Sequence, residues 1–263
     1  MKTIDQVDEK LAKSLTAETT DLLPYLPYLL QDLWELGSQP QSIIDLISKN
    51  IPLASNTTIL DLACGKGAVS VKLAEALNVN VRGVDIVPEF IEFAKKKAEE
   101  QGVTSLCLFA VEDINKTIST TQSYDGVILG AVGDVLGSPK VTLEKLKSVI
   151  KTDGFIIIDD AYLKPDENEQ SNYSGNEYLT YAQWLDLFKE VGLTLVDSAS
   201  TDDMDDDIND YNTKSIVRRA NELIKKHPDK KALFEGYIKS QELECDDLEN
   251  ILTGVTWLLR NKI

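Results

Sequence analysis

The sequence is short of the residues from which metal centres and histidine-based catalysis are built. It has one histidine, His227, and three cysteines, Cys64, Cys107 and Cys245, far apart. With no C-x-x-C pair there is no zinc or redox motif, and a sparse, odd cysteine count suits a reducing compartment. His227 precedes Pro228 in a polar stretch between two helical ones, where an exposed structural residue is a plainer reading than a catalytic base. Long apolar runs are also missing: no uncharged segment approaches the roughly 20 residues of a membrane span. The N-terminal MKTIDQVDEKLAKSL carries charges where a signal peptide needs an apolar run. These absences lead to the expectation of a cytoplasmic protein with no membrane partner. Basic charge is scarce as well, 27 Lys and Arg against 44 Asp and Glu, a formal net charge of −17. Nucleic-acid binding needs cationic side chains to replace counterions, so no nucleic-acid partner is expected. The acid excess makes a self-repelling surface and favours a substrate that is small or cationic.

What is present suits a globular protein able to bury a core: 263 residues, 43% hydrophobic and 27% charged. Residues 5–36 read as helical, broken by Pro24 and Pro27; Tyr28–Leu36 repeats apolar residues at helical spacing. Pro40–Asn50 is a further short helix. A regular alternation follows: strands at Ile59–Leu62, Val81–Asp85, Leu106–Val111, Tyr124–Leu129 and Phe155–Asp160, helices at Ala68–Leu77, Pro88–Gln101 and Leu143–Ile150. Apolar strands alternating with helices indicate an α/β, doubly wound fold with a parallel sheet covered on both faces. Pro165–Glu177 is polar and aperiodic, a loop. Thr180–Glu190 reads as a helix, Leu193–Asp197 as a sixth strand, and 209–226 and 230–245 as two helices behind the acid run Asp202–Asp207. Thr253–Leu259 can close the sheet as a seventh strand. The expected organisation is an N-terminal helical cap at 1–50, a core at 51–200, a helical insertion at 201–250 acting as a lid, and a final strand at 251–263.

The stretch Ile59-Leu-Asp-Leu-Ala-Cys-Gly-Lys-Gly-Ala-Val-Ser70 runs from a buried strand into a glycine turn. A dinucleotide site would offer backbone N–H groups to a pyrophosphate there, and the Asp61 carboxylate would repel that anion. Gly65-Lys-Gly67-Ala-Val-Ser70 also ends in serine where the dinucleotide pattern has a third glycine. An acid at this strand tip suits a cationic ligand, such as the ammonium and sulfonium of S-adenosylmethionine. Gly65 and Gly67 let the backbone pass close to it. Asp85, at the second strand tip, can take both ribose hydroxyls. Glu112-Asp113-Ile114, after the third, places an acid for an adenine amino group, with Ile86 and Ile114 able to sandwich the ring. The bland alternative makes these acids helix caps or turn residues.

Asp61-Leu-Ala-Cys-Gly-Lys-Gly67, Val84-Asp85-Ile86, Glu112-Asp113-Ile114 and Lys151-Thr-Asp-Gly-Phe155 together resemble the class I S-adenosylmethionine-dependent methyltransferases. The resemblance spans about residues 57–198, and Ala63 departs from it, since the family usually has glycine there. It implies a seven-stranded sheet of order 3-2-1-4-5-7-6 with the last strand antiparallel. It implies S-adenosylmethionine as cofactor, held by Asp61, Ala63, Cys64, Gly65, Gly67, Asp85, Ile86, Glu112, Asp113 and Ile114, and by Leu129 and Gly130 at the end of strand four.

The acceptor side lies after strands four and five. The Asn/Asp-Pro-Pro-Tyr motif of many amine and nucleic-acid methyltransferases of this class is missing there. So is the aspartate near Gly130 that catechol-type enzymes use with an acid pair to bind magnesium, and no metal is expected. Asp134, Asp160 and Tyr162 remain as catalytic candidates, each able to be a base, an ammonium partner or a loop anchor. Tyr28 and Trp34 suit core or lid positions, and Tyr211 can line the pocket. The expected function is methyl transfer to a small molecule, an amine or hydroxyl compound, by a monomer or homodimer. Rivals are a methyltransferase for protein or RNA, a cofactor-binding protein without transfer activity, and a dehydrogenase using NAD.

Overall fold

The computed structural model describes residues 4–119, 123–164, 178–200 and 207–261. The polar stretch 165–177 and the acid run at 202–206 lie outside the described residues. Helices are α1 (Ile4–Ser14), α2 (Leu26–Leu29), α3 (Pro40–Asn50), α4 (Ala68–Leu77), α5 (Pro88–Glu100), α6 (Ile114–Thr117), α7 (Pro139–Ser148), α8 (Tyr181–Glu190), α9 (Asp207–Lys226) and α10 (Lys231–Asn250). Strands are β1 (Thr58–Leu62), β2 (Asn80–Asp85), β3 (Cys107–Val111), β4 (Tyr124–Gly130), β5 (Ile150–Leu163), β6 (Leu193–Ser200) and β7 (Leu252–Asn261).

The strands form one sheet of order β3-β2-β1-β4-β5-β7-β6. β1 pairs parallel with β2 and β4, β2 with β3, and β4 with β5. β6 and β7 are antiparallel. β1, β4 and the middle of β5 are apolar because both faces of the sheet are covered: Ile59, Leu60, Leu62, Val127, Ile128, Ile156 and Ile157 are all fully buried. Parallel strands joined by helices put every βα turn of β1, β2 and β4 at the carboxyl ends of the strands, where such sheets bind ligands.

The described chain divides into two compact units. The sheet unit comprises Trp34–Asp160, Ala182–Ser200 and Val255–Ile263; the other comprises the described parts of Met1–Leu33, Ala161–Tyr181 and Thr201–Gly254. Helix α3, assigned above to an N-terminal cap, lies in the sheet unit and packs on α4 and β6. In the sheet unit Trp184 stacks on Trp257 at 4.8 Å between ring centroids and on Phe188 at 5.7 Å. In the helical unit α9 packs on α10 and α2. Arg219 clamps Asp32 through two nitrogens at 2.6 and 2.7 Å, and Arg218 adds a third bond at 2.8 Å. These cations hold the Asp32 carboxyl down at about 2.

Three sequence readings need correction. Helical spacing at Tyr28–Leu36 does not produce a helix: α2 stops at Leu29, and the chain then runs irregularly to Gln39. Leu30 and Leu33 are buried all the same, so the periodicity records burial rather than helix. The helix read at Leu143–Ile150 is Pro139–Ser148, with proline at its first position, where a missing N–H costs nothing. Strand five runs from Ile150 instead of Phe155. The register shift between Tyr124 and Gly126 absorbs Lys151–Gly154 into the strand.

Candidate cofactor site

The turn after β1 is closed by side chains from both neighbouring elements. Asp61 is buried, and Ser70, in the first turns of α4, donates its hydroxyl to Asp61 Oδ2 at 2.5 Å. Burial pushes the Asp61 carboxyl up to about 7; the Ser70 hydroxyl and backbone N–H pull it down, and the charge of Asp85 adds to the rise. Asp85 takes the Gly65 N–H on Oδ2 and the Val87 N–H on Oδ1, both at 2.9 Å. It thereby ties the tip of β2 to the turn after β1. Burial raises its carboxyl as well, against those backbone bonds. The Ile86 backbone N–H also acts on this carboxyl, and a carboxylate, with about four lone-pair sites, keeps capacity for a further bond.

The backbone follows from this geometry. Ala63, Gly65 and Gly67 have φ of 54°, 52° and 74°, the left-handed region that a residue with a Cβ enters only with strain. Gly67 has a further constraint, because a side-chain carbon there would lie 2.7 Å from Ala94 Cβ. Cys64 N donates to Val84 O and Gly67 N to Cys64 O, both at 2.9 Å. Burial pushes the Cys64 thiol well above its ordinary value, and the charges of Asp61 and Asp85 add to the rise.

At β3 the acids are already engaged. Glu112 receives Arg82 at 2.7 and 2.9 Å and Thr117 Oγ1 at 2.8 Å. Asp113 caps α6, accepting the Asn115 N–H at 2.9 Å on Oδ1. Ile114 begins that helix and is buried, while Ile86 is partly exposed. Leu129 is buried and Gly130 partly exposed at the end of β4.

The catalytic candidates are divided between the units. Asp134 is exposed in a short 3-10 turn, Gly133–Leu136, and Asp160 is on β5, both in the sheet unit; Tyr162 belongs to the helical unit, its ring 5.2 Å from that of Tyr181. His227 packs edge-on against Tyr25 at 5.7 Å, and Tyr211 is exposed. Among the described residues no three of His, Cys, Asp and Glu converge as a metal-binding group. No helix there is long and apolar enough to cross a membrane.

Sequence reasoning offered Trp34–Gly37 as a stretch able to close over the cofactor, and Leu36 Cδ1 lies 3.2 Å from where a side-chain carbon at Gly65 would stand; it missed Ser70, Ser38 and Asp159. Ser70 carried a signal, the serine that spoils the dinucleotide pattern; the others are brought to the strand ends only by the fold. Asp159 is paired in register with Gly130, and burial pushes its carboxyl up to about 6, helped by the charge of Asp160.

Comparison with known proteins agrees with this architecture. The Methyltransferase domain family matches residues 53–221. A ubiquinone biosynthesis O-methyltransferase of Actinobacillus pleuropneumoniae is 30% identical over 101 residues, 37% of this chain and 43% of that protein. An uncharacterized RNA methyltransferase of Listeria innocua is 34% identical over 68 residues, 26% of this chain and 15% of that protein. The chain thus spans less than half the length of these two relatives. A SAM-dependent methyltransferase from Thiobacillus denitrificans, solved in complex with S-adenosyl-L-homocysteine, superposes with a TM-score of 0.75 at 16% identity, covering 90% of this chain and 98% of that one. The chain belongs to the methyltransferase-domain family, and its sheet is that of the class I S-adenosylmethionine-dependent methyltransferases.

Proposed function

We propose that the protein binds S-adenosylmethionine at the carboxyl ends of β1, β2 and β4 and passes its methyl group to a small-molecule acceptor, an amine or a hydroxyl compound. The observation that carries this reading is Asp61. A carboxyl buried under a glycine turn, with another acid as the charge that raises it, is stabilised by a cationic ligand and opposed to a pyrophosphate. The cofactor supplies an electrophilic methyl carbon on a sulfonium, taken by an acceptor lone pair as the carbon–sulfur pair returns to sulfur. Asp61 favours the ammonium end. Asp85 accepts ribose hydroxyls on the capacity its oxygens retain, while its two backbone bonds keep it aimed. Ala63, Cys64, Gly65 and Gly67 let the ligand lie against the backbone, and Leu129 and Gly130 border it at β4. Ile86 and Ile114 flank the adenine. Its amino group goes to Asp113 or Glu112, each of which has a structural bond as well.

Asp134, Asp160 and Tyr162 are the proposed acceptor-side residues. The small-molecule reading draws on the name of the quinone-pathway relative and on the scarcity of basic charge. The RNA-methyltransferase relative supports the rival acceptor. Calorimetric titration with S-adenosylhomocysteine and, separately, with NAD tests the cofactor assignment. Binding of the first alone is expected; a heat signal from NAD alone would reverse the assignment.

A further inference from the structure

Arg82 is a cation within the sheet, paired in register with Leu60 of β1 on one side and Leu108 of β3 on the other. A half-buried guanidinium among apolar strands needs partners. Successive residues of a strand face opposite sides of the sheet. A side-chain carbon at Gly83 would meet Phe109 and Cys64, whereas Arg82 meets Tyr124 and Glu112. Its Nη1 donates to the Tyr124 hydroxyl at 3.1 Å, and its Nη2 lies 2.7 Å from Glu112 Oε1 and 2.9 Å from Oε2. Thr117 donates its hydroxyl to the same Oε2 at 2.8 Å. All four residues belong to the sheet unit.

This network holds a segment that cannot hold itself. Helix α6 is a single turn, Ile114–Thr117, too short to be stable on its own. Thr117 ties its end to Glu112, and Asp113 Oδ1 caps its start, accepting Asn115 N–H at 2.9 Å and Asn115 Nδ2 at 3.2 Å. The Glu112 N–H donates to Asp85 O at 2.9 Å, which sets the Glu112-Asp113 pair beside the proposed ribose acid. The two acids differ in what they have left. Both Glu112 oxygens accept bonds, whereas Asp113 Oδ2 accepts none among the described residues. We propose that Arg82 is a positioning residue for adenine: by holding Glu112 it fixes the turn after β3, so that Asp113 Oδ2 receives the adenine amino group. The inference rests on the cofactor reading above and decides between the two acids it named.

The arrangement also sets what is rejected. Adenine offers an amino donor where hypoxanthine offers a carbonyl oxygen. A carboxylate held in place accepts the first and repels the second, and a site built to bond a donor rejects an analogue that lacks it. A loose turn could swing Asp113 aside and lose the distinction. Arginine suits the task because its planar fork reaches two partners at once, here Glu112 and Tyr124. Its bonds to a carboxylate are charge-assisted, about twice as strong as neutral ones. Glu112 is partly exposed, so water screens part of that attraction, and the Thr117 and Tyr124 hydroxyls share in fixing the geometry.

Calorimetric titration with S-adenosylhomocysteine and with S-inosylhomocysteine, whose base carries an oxo group in place of the amino group, tests this on wild type, Arg82→Met and Thr117→Val. Wild type prefers the adenine ligand by at least about tenfold. In Arg82→Met the preference falls to about threefold or less, through weaker binding of S-adenosylhomocysteine, while affinity for S-inosylhomocysteine barely changes. A merely structural role would weaken both ligands alike and leave their ratio as it was. Thr117→Val, which keeps the side chain's shape, lowers the ratio in the same direction and carries the comparison if Arg82→Met does not fold. An unaltered ratio in the folded variants, or a wild type that binds both ligands equally, overturns the proposal. Failure of wild type to bind either ligand would instead fault the cofactor reading.

Discussion

Asp61 and Ser70 show how a single side chain can be legible in the sequence for one reason and present for another. The acid before the glycines is the basis of the proposed cationic ligand; the serine reads only as a mismatch to a dinucleotide pattern. In the fold the mismatch is the partner, its hydroxyl 2.5 Å from Asp61 Oδ2. Because the Asp61 carboxyl is pushed up to about 7, its protonated form stabilises the ligand-free protein, a contribution lost as pH rises from about 4 to about 7. A bound ammonium needs the ionised form. Binding of S-adenosylhomocysteine therefore releases a proton below about pH 7 and tightens as pH rises through that window. Calorimetry in two buffers of different ionisation enthalpy reads the proton directly. Ser70→Ala removes a donor from a buried carboxyl, moves that pH midpoint upward, and costs about 1–3 kcal/mol of unfolding stability. A midpoint that does not move would exclude Ser70 from the control of Asp61. Asp113 teaches the opposite lesson: acid, position and strand tip all suit adenine recognition, yet one of its oxygens caps α6, and a four-residue helix leaves too little periodicity to be seen in advance.

Among the elements, the βα turn after β1 is the one whose conformation could be argued from sequence and then measured. Ala63 stands where the family usually has glycine, and its φ of 54° supplies the reason for that preference. Ala63→Gly should leave the thermal midpoint unchanged or raise it, since relief of left-handed strain offsets the added freedom of the unfolded chain. Ala63→Val, branched at Cβ, should lower stability by more than about 1 kcal/mol. Scanning calorimetry of the pair checks both, and equal midpoints would contradict the strained geometry. Long amphipathic elements such as α5 were legible because four buried positions, Phe90, Ile91, Ala94 and Ala98, recur at helical spacing. The segment after α2 was misread because buried residues in an irregular strap can mimic that spacing. The start of β5 was missed because Lys151-Thr-Asp-Gly154 has turn chemistry; it is the irregular stretch between the Tyr124–Ile150 and Gly126–Phe155 pairs of the ladder with β4.

At the scale of the whole molecule, charge is the property that bears on function. A chain of net charge −17 repels a polyanion. Transfer RNA should show no retention by the protein on a filter at roughly physiological salt, where the Debye length is about 8 Å; saturable, salt-sensitive retention would favour the RNA-methyltransferase reading. Sheet order, the two acids on the first two strand tips and the glycine turn could all be anticipated. The order came through resemblance, and the strand ends through apolar runs bounded by acids and glycines, because local signals of that kind are carried by neighbouring residues. What no local signal carries is which distant residues share a space. Ser38, Gly130 and Asp159 are far apart in the chain and meet only because β4 pairs with β5 and the irregular segment before α3 crosses their ends. The sequence by itself thus determined the strand, the glycine turn and the acid Asp61 before it, on which the proposal of a cationic ligand rests. The tertiary structure decided what holds Asp61 and Asp85 in place, because burial and hydrogen-bond geometry depend on contacts between elements.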